Sequence, residues 1–214
     1  MPKHLGAVSA ALVFAAIIGV SPAALGDASS GQALFAGKGC PACHGQDGRQ
    51  SVDAIPVLAG QNAEYLLRQM KDVAGGQRVS RPGVNGEPRT KAMKDAMTSV
   101  SQAEMKVMAD WLATMPPASA GDATSMAAGG ADLYEEFGCM GCHGVDGMTP
   151  LHGYPVLAGQ NKEYLALQMK EIRDVVRTNG RSRVMIEFAR NLKDDQAERI
   201  AAYLSQVDRA TAKP

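Results

Sequence analysis

The sequence is poor in aromatic residues, histidine and net charge. Aromatic side chains make up only 5% of 214 residues, so other side chains must fill most of any core. Twenty-two basic residues balance twenty-two acidic ones, which argues against nucleic acid as a partner. Hydrophobic residues at 45% and charged residues at 21% are ordinary globular usage, and they exclude a disordered or fibrous chain.

Beyond its first 20 residues the chain has no long hydrophobic run. Residues 5–20 are apolar or small and follow Lys3, but they fall short of the ~20 residues that span a bilayer. Ala24-Leu25-Gly26 offers the small residues that a signal peptidase requires. Residues 1–26 are therefore predicted to be a cleaved export signal, with Asp27 as the first mature residue and an uncleaved anchor as the alternative.

Only four cysteines are present, and they form two copies of one pattern. Residues 40–44 read CPACH and residues 139–143 read CMGCH, so both are C-x-x-C-H. Two disulfides or a zinc site could also use four cysteines, but neither explains the histidine after each pair. In covalent haem c attachment, two thiols bond the porphyrin and the adjacent imidazole reaches the iron. The sequence predicts two covalently bound haem c groups, held by Cys40, Cys43, Cys139 and Cys142, with His44 and His143 as iron ligands.

The two motifs lie within an internal repeat. A shift of 99 positions aligns residues 32–71 with residues 131–170 without a gap, and 21 of 40 pairs are identical. Farther on the shift becomes 92, so the first copy has seven extra residues between Gln77 and Lys91. Two tandem domains are the simplest explanation.

The predicted domain boundaries follow from this repeat. Residues 27–116 form the N-terminal domain and residues 131–214 the C-terminal domain. Residues 117–130, which are rich in Ala, Gly and Ser, are expected to be a linker.

Each copy is expected to be all-α. Apolar residues recur at three- and four-residue spacing over Asn62–Val73, and Ser101 with Glu104 forms a capping box. The second copy repeats the pattern over Asn161–Val176 and Asp194–Val207, and no segment shows sustained strand alternation. A short helix is predicted over Gly31–Lys38, leading into the first haem motif. Domains this small have little core of their own, and a haem would supply the missing bulk.

Histidine is too scarce to supply both axial ligands of two haems. Only four are present in the sequence, and two of them already follow the cysteine pairs. Methionine becomes the leading candidate for the sixth position, and Met70/Met169 and Met93/Met185 recur at equivalent positions. The first pair is interpreted as core, while Met93 and Met185 are favoured as ligands. Met97 is the rival in the first copy.

Two further features have more than one interpretation. His152 has no counterpart in the first copy and is either a haem ligand or a solvated side chain near the haem carboxylates. A basic cluster surrounds the extra residues of the first copy and either pairs with haem carboxylates, docks an acidic partner or is a solvated loop. The cluster consists of Arg78, Arg81, Arg89 and Lys91.

The motifs together resemble the cytochrome c4 family of exported two-haem cytochromes. The shared features are the repeated C-x-x-C-H-G-x-D-G, the P-x-L-A-G-Q-x-x-x-Y-L segment, the late Met and the final helix, over residues 31–207. The resemblance implies two tandem cytochrome c domains with their haem edges close together and with His/Met ligation by Met93 and Met185. It also implies that the carbonyls of Pro56 and Pro155 orient the histidine ligands.

Two saturated irons offer no open site for a small-molecule substrate, so single-electron transfer is the expected function rather than catalysis. The family resemblance implies a periplasmic carrier between a redox donor and an acceptor, such as an oxidase, a cytochrome complex or a dehydrogenase, with delivery toward a terminal oxidase. Peripheral membrane association is left open. The alternative is a dedicated cytochrome subunit of a periplasmic dehydrogenase complex, such as a flavin-containing sulfide dehydrogenase.

Overall fold

The computed structural model describes residues 22–49, 54–119, 121 and 125–209. The predicted export signal, residues 1–26, lies outside these ranges except for its last five residues, which begin the first helix. Among the described residues, every helix is too short or too polar to cross a bilayer.

The described segments form two all-helical domains, as the sequence predicts. The helices of the first domain are α1 (Pro22–Gly37), α2 (Pro41–His44), α3 (Ala63–Ala74), α4 (Thr90–Met97) and α5 (Gln102–Thr114). Those of the second are α6 (Gly130–Glu136), α7 (Met140–His143), α8 (Lys162–Arg173), α9 (Ser182–Ala189) and α10 (Asp194–Gln206). Single 3-10 turns occur at Ser125–Ala127, within the predicted linker, and at Val145–Gly147.

The same local signals begin the equivalent helices. The side chain of Asn62 accepts a hydrogen bond from Tyr65 N at 2.9 Å, and that of Asn161 accepts one from Tyr164 N at 2.7 Å. These asparagine caps satisfy backbone donors that a helix leaves free at its N-terminus. The capping box predicted at Ser101 is also present and opens α5.

Both domains are built on the crossing of their first and last long helices. Gly31 on α1 lies so close to α5 that a β-carbon there would be 2.2 Å from Trp111 Cβ. Gly130 on α6 has the same relation to α10, where its β-carbon would be 2.6 Å from Tyr203 Cβ. Any side chain at either glycine would force the helices apart. The two copies of the sequence therefore pack their first and last helices in the same way.

Methionine and leucine fill the cores where aromatic residues are few. The first core contains one aromatic pair, Phe35 and Trp111, with ring centroids 5.2 Å apart. Methionine supplies much of the remaining volume of that core, through Met70, Met97, Met105 and Met108. The unbranched methionine side chain adapts to irregular gaps, so these methionines fill core volume that aromatic side chains would otherwise occupy.

The two domains bind each other through a symmetric set of buried hydrogen bonds. Gln61 of the first domain donates to Val156 O at 2.8 Å and accepts from Val156 N at 2.9 Å. Its repeat equivalent, Gln160, donates to Val57 O at 2.8 Å and accepts from Val57 N at 2.7 Å. Each glutamine thus bonds the backbone N–H and C=O of one residue in the other domain, much as a neighbouring strand would.

Helix α8 ends at Arg173, three residues before the predicted Val176, because the chain turns into the left-handed region. Val175 has φ 59°, whereas its counterpart in the first copy is Gly76 with φ 74°. A β-branched residue is strained in this conformation and glycine is not.

Val175→Gly is therefore expected to stabilise the protein by about 1 kcal/mol, since the relief of strain outweighs the added freedom of the unfolded chain. The free energy of unfolding is measured by denaturant titration of the haem-loaded protein. Val176→Gly is the matched control, because Val176 does not have a left-handed backbone conformation. The backbone N–H of Val176 donates a hydrogen bond to Glu171 O at 2.8 Å. The control should be destabilised, and equal losses in both variants would show that Val175 is not strained.

Candidate haem sites at the two cysteine motifs

Each C-x-x-C-H motif is a single helical turn. Cys40 precedes α2 and Cys139 precedes α7, so the two thiols and the histidine of each motif have i, i+3 and i+4 spacing and share one helix face. None of these four cysteines is joined to another in a disulfide. No three His, Cys, Asp or Glu side chains converge on a metal-sized site within the described ranges. The disulfide and zinc alternatives therefore have no support in the fold.

Both motif histidines are fixed by a backbone carbonyl. Nδ1 of His44 lies 3.0 Å from Pro56 O, and Nδ1 of His143 lies 3.1 Å from Pro155 O. Since a carbonyl can only accept, Nδ1 carries the proton in each ring and Nε2 keeps its lone pair. The two prolines lie where the family resemblance places them.

The environment keeps both imidazoles neutral. His44 is 7% exposed and His143 is 4% exposed. Burial lowers the pKa of each histidine, while the hydrogen bond to the proline carbonyl partly opposes that shift. A neutral imidazole is the form that binds a metal ion.

His143 provides the test of whether an iron-bound group fits. Its Nε2 is buried and has no hydrogen-bond partner among the described residues. A buried polar atom without a partner costs about 1–3 kcal/mol, and coordination to a haem iron would remove that cost. The donor set and its orientation therefore fit a haem.

A cavity lined by residues of both domains brings the predicted ligands of the second haem together. His143 and Met185 both line it, together with Cys139. The apolar part of its wall includes Leu157, Leu165, Ile172, Ile200 and Leu204 of the second domain and Val57, Leu58 and Leu66 of the first. An apolar cavity with a nitrogen, a thioether and a thiol is suited to a porphyrin.

The other methionines occupy different surroundings. Met93, on α4, is partly buried and packs against the first core, as Cys40 also does. Met97 and Met70 are buried within that core, at 2% and 8% exposure. Met169 lines the same cavity as Met185, so it is the alternative ligand against which Met185 must be tested.

The basic cluster around the extra residues is divided between the domain interface and solvent. Arg81 forms an ion pair with Asp174 of the second domain, and its backbone N donates to Glu171 Oε1 at 2.8 Å. Arg89 is exposed, and Lys91 pairs with Asp95 on its own helix at 2.7 Å. The solvated-loop interpretation therefore fits only the second half of the cluster.

Arg78 is an interface residue that the sequence left ambiguous. It donates to Gln69 Oε1 of its own domain at 3.1 Å. Across the interface it donates to Tyr164 OH at 2.7 Å and to Gln168 Oε1 at 3.1 Å. Side chains of both domains therefore fix its guanidinium.

Arg177 mirrors Arg78 from the second domain. It donates to Gln168 Oε1 of its own domain at 2.7 Å. It reaches Tyr65 OH at 3.2 Å and Gln69 Oε1 at 2.9 Å in the first domain. The signal that could have revealed the pair is their spacing of 99, the same as that of the haem motifs.

His152 is not buried enough to be an iron ligand. Its side chain is 89% exposed and its Nδ1 lies 3.1 Å from Glu64 Oε2 of the first domain. The ligand interpretation is therefore wrong, and His152 belongs to the rim of the interface.

Comparisons with known proteins agree with this geometry. The family model for cytochrome c matches residues 28–116 and 127–208. Cytochrome c4 of Azotobacter vinelandii is 32% identical over 198 residues, which cover 88% of this chain and 92% of that protein. A thiosulfate dehydrogenase electron acceptor of Stutzerimonas stutzeri (strain A1501) is 31% identical over 190 residues, 84% of this chain and 83% of that protein.

The fold has a counterpart among solved structures. Reduced recombinant cytochrome c4 from Pseudomonas stutzeri matches with a TM-score of 0.71 and 29% identity, over 84% of this chain and 98% of that chain. With two family matches in one chain, the chain belongs to the cytochrome c family in its two-domain c4 form, and it is an electron-transfer protein that carries two covalently bound haem c groups.

Proposed function

We propose that this chain is a periplasmic carrier that moves single electrons between respiratory-chain partners and delivers them toward a terminal oxidase. The observation that supports electron transfer is the buried, unpartnered Nε2 of His143 in a cavity that Met185 also lines. With an imidazole and a thioether bound, the iron would keep no coordination position for a substrate.

In this proposal the repeat assigns the same role to each member of an equivalent pair. Cys40, Cys43, Cys139 and Cys142 would hold the haems covalently. His44 and Met93 would bind the first iron, and His143 and Met185 would bind the second. The carbonyls of Pro56 and Pro155 hold the imidazoles in orientation. The bound haem supplies a one-electron couple, whose potential is raised by methionine relative to a second histidine.

Delivery toward an oxidase has a direct test. The reduced protein should be oxidised by membrane vesicles that contain a cytochrome c oxidase, and cyanide should block the reaction.

Export is tested by the mass of the periplasmic protein, which should correspond to a chain that begins at Asp27 and carries two haems. Oxidation that is absent or insensitive to cyanide would overturn the delivery to an oxidase, and a chain that retains residues 1–26 would overturn the cleaved signal.

A second candidate is an electron acceptor bound to a periplasmic dehydrogenase. The relative described as a thiosulfate dehydrogenase electron acceptor supports it. This alternative predicts that the chain co-purifies with a dehydrogenase and is reduced within that complex when the substrate is added. A chain that purifies alone at low salt would favour the free carrier.

A further inference from the structure

The extra residues of the first copy form an exposed hairpin. Gly83 N donates to Glu87 O at 2.7 Å, and Arg89 N donates to Arg81 O at 3.3 Å, which closes the base. Residues 81–89 are exposed except for Gly83, which is half-buried. The second copy reaches its equivalent helix without these residues. A cytochrome c domain can therefore be built without the hairpin, whose contacts must be what distinguishes the first copy.

The hairpin is attached to the second domain at its base. The backbone N–H of Arg81 donates to Glu171 Oε1 at 2.8 Å, and the guanidinium forms an ion pair with Asp174. Glu171 is 1% exposed, and its other carboxylate oxygen accepts from Gln168 Nε2 at 3.2 Å. A buried carboxylate holds such donors tightly, because an unpaired one is costly. The contacts of Arg81 with Glu171 and Asp174 thus anchor the base of the hairpin to the end of α8.

The other arm of the hairpin leads directly into α4, which carries Met93. Arg89, the residue before the helix, provides no side-chain hydrogen bond to the first turn. Instead Ser80 Oγ, on the opposite arm, accepts from Thr90 N at 2.9 Å. Ser80 is next to Arg81 in the chain, so the start of α4 is fixed to the anchored base of the hairpin.

Helix α4 has little other attachment at this end. Among its described residues Met97, in the last turn, is the one that is buried. In the second copy, α9 is buried at both ends, at Ser182 and Ala189. Ser182, the repeat counterpart of Thr90, donates to Asn179 O of its own domain at 2.6 Å. The second copy thus holds the start of its methionine helix within its own domain, whereas the first copy does so through a contact with the other domain.

We propose that Arg81 is a positioning residue for the first haem, and that through it the second domain holds Met93 in place as a ligand of the first iron. This inference rests on the proposed ligation by Met93. Detachment of the hairpin base would let the start of α4 move. The methionine-bound form would then be less populated, and an added ligand would compete more easily for the iron.

The test is an imidazole titration of the oxidised two-haem protein with Arg81→Glu, followed by the weak far-red band of methionine sulfur on ferric iron. The variant is made in a Met185→Ala background, in which the remaining band comes from Met93 alone. A carboxylate at position 81 would be repelled by Asp174, so the first iron should bind imidazole about tenfold more tightly. The same substitution in a Met93→Ala background should leave the imidazole affinity of the second iron unchanged.

Arg81 is changed rather than Glu171, because Glu171 also interacts with the charge of Arg177. The matched control is Arg89→Glu, which makes the same charge reversal on the same hairpin. Arg89 is exposed and pairs with neither carboxylate of the anchor in the described structure. Arg81→Lys keeps the positive charge and the backbone N–H, and it should leave the imidazole affinity close to that of the parent protein.

The outcomes separate this inference from the proposed function. If Arg81→Glu keeps both haems and the parent imidazole affinity at the first iron, the anchoring role is refuted and ligation by Met93 stands. Equal effects of Arg81→Glu and Arg89→Glu, or equal effects at both irons, would also refute it, because overall charge or general destabilisation would then be the cause. A far-red band that is unaffected by Met93→Ala would refute ligation by Met93 and the anchoring role together.

Discussion

Met185→Ala is expected to halve the weak far-red absorption band of the oxidised protein while both haems remain attached. That band reports methionine sulfur on ferric iron, and only one of two irons would lose its sulfur ligand. Met93→Ala should produce the same loss at the other haem, and the double variant should abolish the band. Either single variant should also bind added imidazole at one iron, because its sixth position is open. The measurement is an optical spectrum normalised to haem content.

The matched control for this experiment is Met169→Ala. Met169 lines the same cavity as Met185, so the substitution removes the same side chain from the same surroundings. It should cost stability, about 2–4 kcal/mol if the space does not collapse, and leave the band intact. Loss of half the band with Met169→Ala, and none with Met185→Ala, would transfer the ligand role to the α8 methionine.

Gln160→Ala is expected to uncouple the two domains. The substitution removes both hydrogen bonds to Val57 and leaves a buried N–H and C=O without partners. At about 1–3 kcal/mol for each of the two unsatisfied groups, the interface should lose roughly 2–6 kcal/mol. Denaturant unfolding followed separately at each haem should then show two transitions instead of one.

The repeat provides an internal comparison for this second prediction. Gln61→Ala removes the equivalent pair of bonds to Val156 and should have a similar effect. The double variant should lose less than the sum, since either substitution alone already weakens the same interface. Gln102→Ala is the control, because Gln102 is an exposed residue in the first turn of α5. If Gln160→Ala unfolds in a single transition at the wild-type midpoint, the glutamines do not hold the domains together.

The fold of each domain could be predicted because its signals are local. The asparagine and serine caps and the ungapped repeat place α3, α5, α8 and α10 within three residues of their observed bounds. Helix α1 begins at Pro22, nine residues before the predicted Gly31, and α4 and α9 were not predicted as helices. The end of α8 was missed because the left-handed Val175 has no side-chain signature. Glycine at the equivalent position of the first copy was the available hint.

The contacts between the two domains could not be predicted from the sequence, although the residues that form them stand out in the repeat. Gln61 and Gln160 stand out in the repeated P-V-L-A-G-Q segment, but periodicity does not show which surface of a domain faces its neighbour. The same holds for Arg78, whose charge suggests solvent while its contacts are to buried tyrosine and glutamine side chains. Hydrogen bonds between side chains about 90 residues apart in sequence form only when the two domains have packed together.

The optical spectrum of the purified, oxidised wild-type protein tests the central claim most directly. We expect two covalently bound haems per chain and a far-red methionine band at full strength for both, with no high-spin component. A half-strength band or a high-spin signal would mean that one iron is open or differently ligated. That result would contradict the symmetric roles of Met93 and Met185 and the assignment of the protein as a pure electron carrier.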